Sequence, residues 1–158
     1  MNVNIDEETA HEVANLVDGV FHPVHEFMDR ETYASVVNSY KLPSGESFPL
    51  PIVFTPELDE GVQVKAGDTL NVMLKGRQLA TLEVTDTFTV DLEHDLTKVF
   101  GTDSPSHPGV ASEMARPKLR IGAKVASYDA TILQRDENYH TPAQVKALSA
   151  SRGLTSLA

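Results

Sequence analysis

The sequence predicts an α+β fold: a small, distorted β-barrel decorated with short helices. Three observations predict it. Apolar residues recur at helical spacing behind good N-caps near the amino end, and another capped helix stands near the carboxyl end. From Pro49 onward the texture changes to short alternating segments separated by turns. Finally, 158 residues of which 41% are apolar are enough for one core and too few for two comfortable ones, so residues 1–158 read as a single domain.

Taken in order, Asp6 is a good N-cap, with Glu7 and Glu8 placed favourably against the helix dipole. Ala10, Val13, Ala14 and Val17 then follow helical spacing, and Gly19 can end the helix. Residues 20–28 read as an extended, Pro-containing connector whose aromatic residues plug the core. A second helix begins after Asp29, with Tyr33, Val36, Val37 and Tyr40 on one stripe. Residues 52–54 are a candidate strand. Leu70, Val72 and Leu74 alternate with more polar neighbours, Lys75-Gly76-Arg77 is a turn, and Ala80, Leu82 and Val84 face one side of the returning strand, so the unit reads as a hairpin. A short helix follows over Leu92–Phe100 with Asp91 as its N-cap. Residues 118–121 and 124–133 read as two further strands, and 136–140 as the loop after them. Thr141-Pro142-Ala143-Gln144 has the form of a capping box with Pro at the first helical position, opening a helix to about Ser151. No repeat, low-complexity tract or linker interrupts this order.

Composition excludes several classes. No apolar run is long enough to span a membrane as a helix, and the acidic start lacks a basic segment followed by an apolar one, so no secretory leader is expected. The chain has no cysteine, which removes disulfides, thiolate metal sites and cysteine nucleophiles and fits a cytoplasmic location. Thirteen Lys and Arg face 23 Asp and Glu, for a net charge of −10. Affinity for nucleic acid rests largely on basic groups neutralising phosphates, so a polyanion is a poor partner.

Four motifs stand out. Residues 99–110, VFGTDSPSHPGV, close a helix at Gly101 and lead through a polar turn to His107-Pro108-Gly109. Residues 16–28 read LVDGVFHPVHEFM, residues 42–52 read LPSGESFPLPI, and residues 140–145 read HTPAQV. The first resembles the Phe-Gly-Thr to His-Pro-Gly-Val signature in the amino-terminal domain of ATP sulfurylases (sulfate adenylyltransferases). The other three resemble, in the same order and spacing, that family's Gly-Gly-Phe-Ser-Pro-Leu-x-Gly-Phe-Met, Leu-x-x-Gly-x-x-Trp-Pro-Ile-Pro-Ile and Thr-Pro-Ala-Glu segments. The resemblance covers roughly residues 10 to 154.

The resemblance implies a PUA-like fold and an accessory role. In that family a catalytic domain follows, gripping ATP and sulfate through Gln-Thr-Arg-Asn-Pro-x-His-x-x-His, Gly-Arg-Asp and a second His-Pro motif. No Gln-x-Arg-Asn stands anywhere in the sequence, and the sole Gly-Arg pair, Gly76-Arg77, is followed by Gln78. Residues 141–158 are expected to lead into that catalytic domain, with Leu154, Leu157 and Ala158 as an apolar end to meet it. The implied partner is therefore a catalytic sulfurylase domain, in cis or in trans, with a homo-oligomer also open. No cofactor is expected for this chain, ATP and Mg²⁺ belonging to the full enzyme. Rival readings are a stand-alone module that binds a sulfurylase or an adenylylsulfate kinase, and an RNA-binding PUA protein, against which the acidic balance argues.

Within the chain no catalytic, cofactor or metal residues are assigned. His107 could position a phosphate or a partner loop, or simply stand in a rigid turn fixed by Pro108 and Gly109. Arg116, Lys118, Arg120 and Lys124 are the basic cluster. Residues 116, 118 and 120 would share one strand face with Leu119 and Ile121 inward, offering an anion or acidic-partner contact, or a solvated face paired with carboxylates. His22 and His25, with Glu26, invite a metal reading but fall short of three or four converging ligands. Ser104 and Ser106 beside His107 lack the geometry and third member of a nucleophile–base arrangement.

Overall fold

The computed structural model describes residues 1–154, so the expectation for Leu157 and Ala158 lies outside the described residues. The elements run β1 (Asn2–Asn4), α1 (Glu7–Asp18), α2 (Arg30–Ser39), β2 (Thr69–Leu74), β3 (Arg77–Thr89), α3 (Leu92–Phe100), α4 (Pro108–Ala115), β4 (Leu119–Tyr128) and α5 (Pro142–Ser151). The strands make one sheet in the order β1-β2-β3-β4, with β1 parallel to β2 and the other neighbours antiparallel. The mixed α+β content matches expectation.

The sheet stays open rather than closing into a ring. Beyond β4, among the described residues, lie only isolated bridges, Phe27 to Ala123 and Phe54 to Ile121, made by irregular segments. The expected strand at 52–54 is reduced to the second of these. Pro49, Pro51 and Pro56 crowd this stretch, and each removes a ladder donor, so a continuous strand cannot form there. The two bridging rings are fully buried and pack together with centroids 5.4 Å apart. Each such burial contributes about 1.5–3 kcal/mol, so the connectors seal the core that a closed barrel would have sealed with strands.

Local chemistry accounts for the helix ends. Asp6, Asp29 and Asp91 each accept a backbone N–H three residues on, and Gly101 ends α3 in the left-handed region at φ 71°, which glycine adopts without a side-chain clash. At Thr141 both halves of the capping box form. In α1 the buried stripe is Ala10, Val13, Ala14 and Leu16, while Val17 is exposed. In α2 it is Tyr33, Val36 and Val37; Tyr40 is the C-cap and exposed.

Three elements depart from the sequence reading. β1 is a three-residue strand paired to β2, too short to show alternation. Pro108 and Gly109 open the helix α4, with Pro108 in its first turn and His107 as an N-cap that makes no side-chain bond. Proline suits that position because the N–H it lacks would have had no partner in the helix. Finally, 118–121 and 124–133 are not two strands. A single strand, β4, crosses Gly122 without a break, its register to β3 shifting at two bulges.

Gly122 is needed for close approach. A Cβ there would lie 2.9 Å from the Asp29 Cα and 3.0 Å from both the Asp29 nitrogen and the Met28 oxygen, backbone atoms that cannot swing aside. Gly122→Ala is therefore expected to cost about 2 kcal/mol, lowering the melting temperature by about 4–8 °C. An unchanged melting curve would show that the α2 entry is not held against β4.

Candidate functional site

Packing α1, α3 and α4 around the start of β4 leaves a cleft of about 340 Å³. Glu8 and Glu12 come from α1, Tyr33 from α2, Asp95 and Phe100 from α3, Glu113 from α4 and Arg116 from its C-cap. Arg120 enters from β4, and residues 50–53 with Phe21 complete an apolar wall.

Arg120 is 1% exposed. Its Nη2 donates to Glu113 Oε2 at 2.9 Å, and its Nη1 donates to the Pro117 and Leu119 carbonyls. Arg116 donates from Nη1 to Glu113 Oε1 and from Nη2 to Glu8 Oε1, both at 3.2 Å. Glu113 thus clamps two guanidiniums, and these pairs tie α1, α4 and β4 together. In the same cleft the Tyr33 hydroxyl donates to Asp95 Oδ2 at 2.7 Å, while His94 Nδ1 lies 2.9 Å from Asp95 Oδ1. Burial, and then the bond to Asp95, push the Tyr33 hydroxyl pKa far above its ordinary value. Burial likewise pushes the Glu12 carboxyl up to about 7, against the pull of Arg116.

The expected basic face is rearranged. β4 begins at Leu119, so Arg116 and Lys118 precede it. The centre of β4 is buried from Arg120 through Ala123, so alternation produces no solvated side there. Arg116 and Arg120 converge on Glu113 in the cleft, whereas Lys118 and Lys124 are exposed. His107 is exposed too, its ring centroid 5.2 Å from that of Phe100. The Ser104 hydroxyl meets that of Ser106 at 2.8 Å. His22 and His25 meet edge to face at 5.5 Å, and among the described residues no three His, Asp or Glu are grouped to hold a metal.

From the sequence Glu12, Glu113 and Asp95 are not singled out, and Tyr33 is read only as part of the second helix's apolar stripe. One signal was available: Glu8 and Glu12 are i,i+4 like charges, disfavoured on an isolated helix and so a hint of outside partners.

An open mixed sheet, capped by short helices and carrying a charged cleft, defines a small α+β domain. Residues 1–130 match the family model for the PUA-like domain, and the chain belongs to that family. The sulfate adenylyltransferase of Ignicoccus hospitalis is 36% identical over 124 residues, covering 77% of this chain and 32% of that protein. That of Symbiobacterium thermophilum is 28% identical over 152 residues, covering 96% of this chain and 39% of that protein. The resemblance read from the four motifs thus stands: this is a PUA-like domain similar to part of sulfate adenylyltransferases. The chain spans about a third of the length of these relatives. Among solved structures, the hexameric APS kinase from Thiobacillus denitrificans superposes with a TM-score of 0.64 over 96% of this chain and 26% of its own, at 22% identity, a likeness of fold. No helix among the described residues is long and apolar enough to cross a membrane.

Proposed function

We propose that this chain is a non-catalytic accessory domain of a sulfate adenylyltransferase, whose full enzyme joins ATP and sulfate into adenosine 5′-phosphosulfate and pyrophosphate. The observation that carries the reading is the coverage: relatives of that name match most of this chain with only about a third of their length. ATP and Mg²⁺ fall to the part of the relatives that this chain does not span.

The cleft chemistry supports a non-catalytic role. Stabilising a phosphate in transfer takes positive groups aimed at developing charge, and here both cleft guanidiniums already face carboxylates. The partner is a catalytic sulfurylase domain, in cis or in trans. α5 supports docking at the carboxyl end: it has no buried residue, and Leu148 and Leu154 are exposed. His107 and Lys118, both exposed, are the remaining candidates for a contact with that partner.

An exchange tests the reading. The chain alone, given ATP, sulfate and Mg²⁺, is expected to release no pyrophosphate above a blank. Installed in the Symbiobacterium thermophilum enzyme in place of the matching segment, it should sustain pyrophosphate release. Turnover by the chain alone would overturn the non-catalytic assignment. A folded but inactive hybrid, beside an active enzyme lacking the segment altogether, would overturn the accessory role. Intact mass of the native gene product then separates cis from trans.

A further inference from the structure

We propose that the cleft between α1, α3 and α4 is a receptor for a primary ammonium group on a short apolar stem, the chemistry shared by a lysine side chain and a free alkylamine. Three independent features point there. At about 340 Å³ the cleft falls within the range of small-ligand sites, about 300–1,000 Å³. Apolar side chains, among them Ile52, Val53, Val99 and Phe100, share the lining with the charged groups, which suits a hydrocarbon stem.

Charge selects the head group. Among the described residues, four carboxylates, Glu8, Glu12, Asp95 and Glu113, line the cleft with two guanidiniums, Arg116 and Arg120. Both guanidiniums are held by Glu8 and Glu113, so an incoming anion would have to displace a carboxylate. Glu12 is the group left over: it is half-buried, and among the described residues no hydrogen bond reaches its carboxylate. A cation seated beside it would supply the missing partner, and an ammonium carries three donors for the surrounding oxygens.

The wall also gives a role to the motif at residues 99–110. A Cβ on Gly109 would stand 2.6 Å from Phe100 Cε1, so glycine is what lets the Phe100 ring lie against α4 and keep the apolar side in place. The motif builds a cleft wall rather than a phosphate cradle. Occupancy should depend on pH. The charged groups acting on Glu12 are Glu8 and Asp6 at the start of α1, Glu113 on α4 and Arg116 at its C-cap; Arg120 of β4, Tyr33 and Asp95, the last paired with His94, line the same cleft. With Glu12 titrating near 7, a cation should bind about tenfold more tightly at pH 8 than at pH 6, following the ionised fraction.

The experiment titrates the ¹⁵N-labelled chain with hexylamine, hexan-1-ol, hexanoate and Nα-acetyl-lysine methylamide, following amide resonances of the cleft at both pH values. Saturable shifts with hexylamine, absent with hexanoate, are expected. Glu12→Gln should remove the pH dependence and weaken hexylamine about tenfold at pH 8. Leu50→Lys, at a half-exposed position on the rim, offers a second variant with little risk to folding, and its own ammonium should compete with the ligand. Tighter binding of the lysine derivative assigns the site to a protein segment, and tighter binding of hexylamine to a free amine. Hexanoate binding as well as hexylamine, no saturation with either cation, or an unchanged affinity in folded Glu12→Gln would each overturn the proposal. None of these readouts depends on pyrophosphate, so this proposal and the accessory-domain reading fail separately.

Discussion

Glu113→Ala is expected to destabilise the domain by about 3 kcal/mol, the scale for leaving a buried charge without its partner. The asymmetry of the pair makes the test sharp. The Arg120 side chain is 2% exposed and that of Glu113 28%, so removing the acid strands a guanidinium in the core, while removing the guanidinium leaves an acid that still has Arg116 and water. Arg120→Met, which keeps the apolar stem, should therefore cost only about 1 kcal/mol, because hydrophobic replacements of buried ions are often close to neutral. Urea unfolding of both variants at pH 7 provides the comparison. Equal losses, or a larger loss for Arg120→Met, would mean that Glu113 does not anchor the buried arginine.

Arg120 also shows where sequence reasoning reaches its limit. Its place in Arg-Pro-Lys-Leu-Arg-Ile gave a strand whose alternate residues face water, a sound inference for a strand covered on one side. The structure covers β4 over residues 120–123: Phe54 bridges Ile121, the Asp29 backbone lies on Gly122, Phe27 bridges Ala123, and Glu113 of α4, a segment read from the sequence as a turn, meets Arg120. Missing one helix therefore concealed the cleft. Pro108-Gly109 is ambiguous by itself: proline is at home in a turn and in the first turn of a helix alike, and only the packing of Phe100 on Gly109 decides. Elements fixed by local bonds were legible to the residue. Asp91 and Gly101 bound α3, and Thr141 and Gln144 form their capping box. Elements fixed by distant partners were not. β1 exists because β2 pairs with it, and Gly122 looked like a strand break although its lack of a side chain admits the Asp29 backbone. The candidate site, made from α1, α2, α3, α4 and β4, is of the second kind.

Glu12→Gln is expected to stabilise the domain at pH 8 by up to about 3 kcal/mol while changing it little at pH 4.5. The sign follows from proton binding. Burial raises the Glu12 carboxyl from its ordinary 4.5 to about 7, so between those values the folded chain holds a proton that the unfolded chain has released. Stability therefore falls as pH rises through this window and levels off above it. Asp6, Glu7 and Asp129 act the other way: hydrogen bonds from Thr9, Lys75 and Thr131 lower their pKa values. Their contribution is present above their ordinary values and is lost as pH falls through the lowered ones, below the Glu12 window. Glutamine removes only the Glu12 titration, so the difference between the two unfolding curves isolates it. A difference that does not vary with pH, or one that grows toward acid, would refute the assignment. The physical point joins stability to function. A carboxylate kept against its own solvation is a cost to the fold, and such groups concentrate where a ligand or partner later supplies the compensation. If hexylamine both binds beside Glu12 and restores at pH 8 the stability that Gln supplies by substitution, one carboxylate accounts for the loss of stability as pH rises from 4.5 to about 7 and for the selectivity of the cleft.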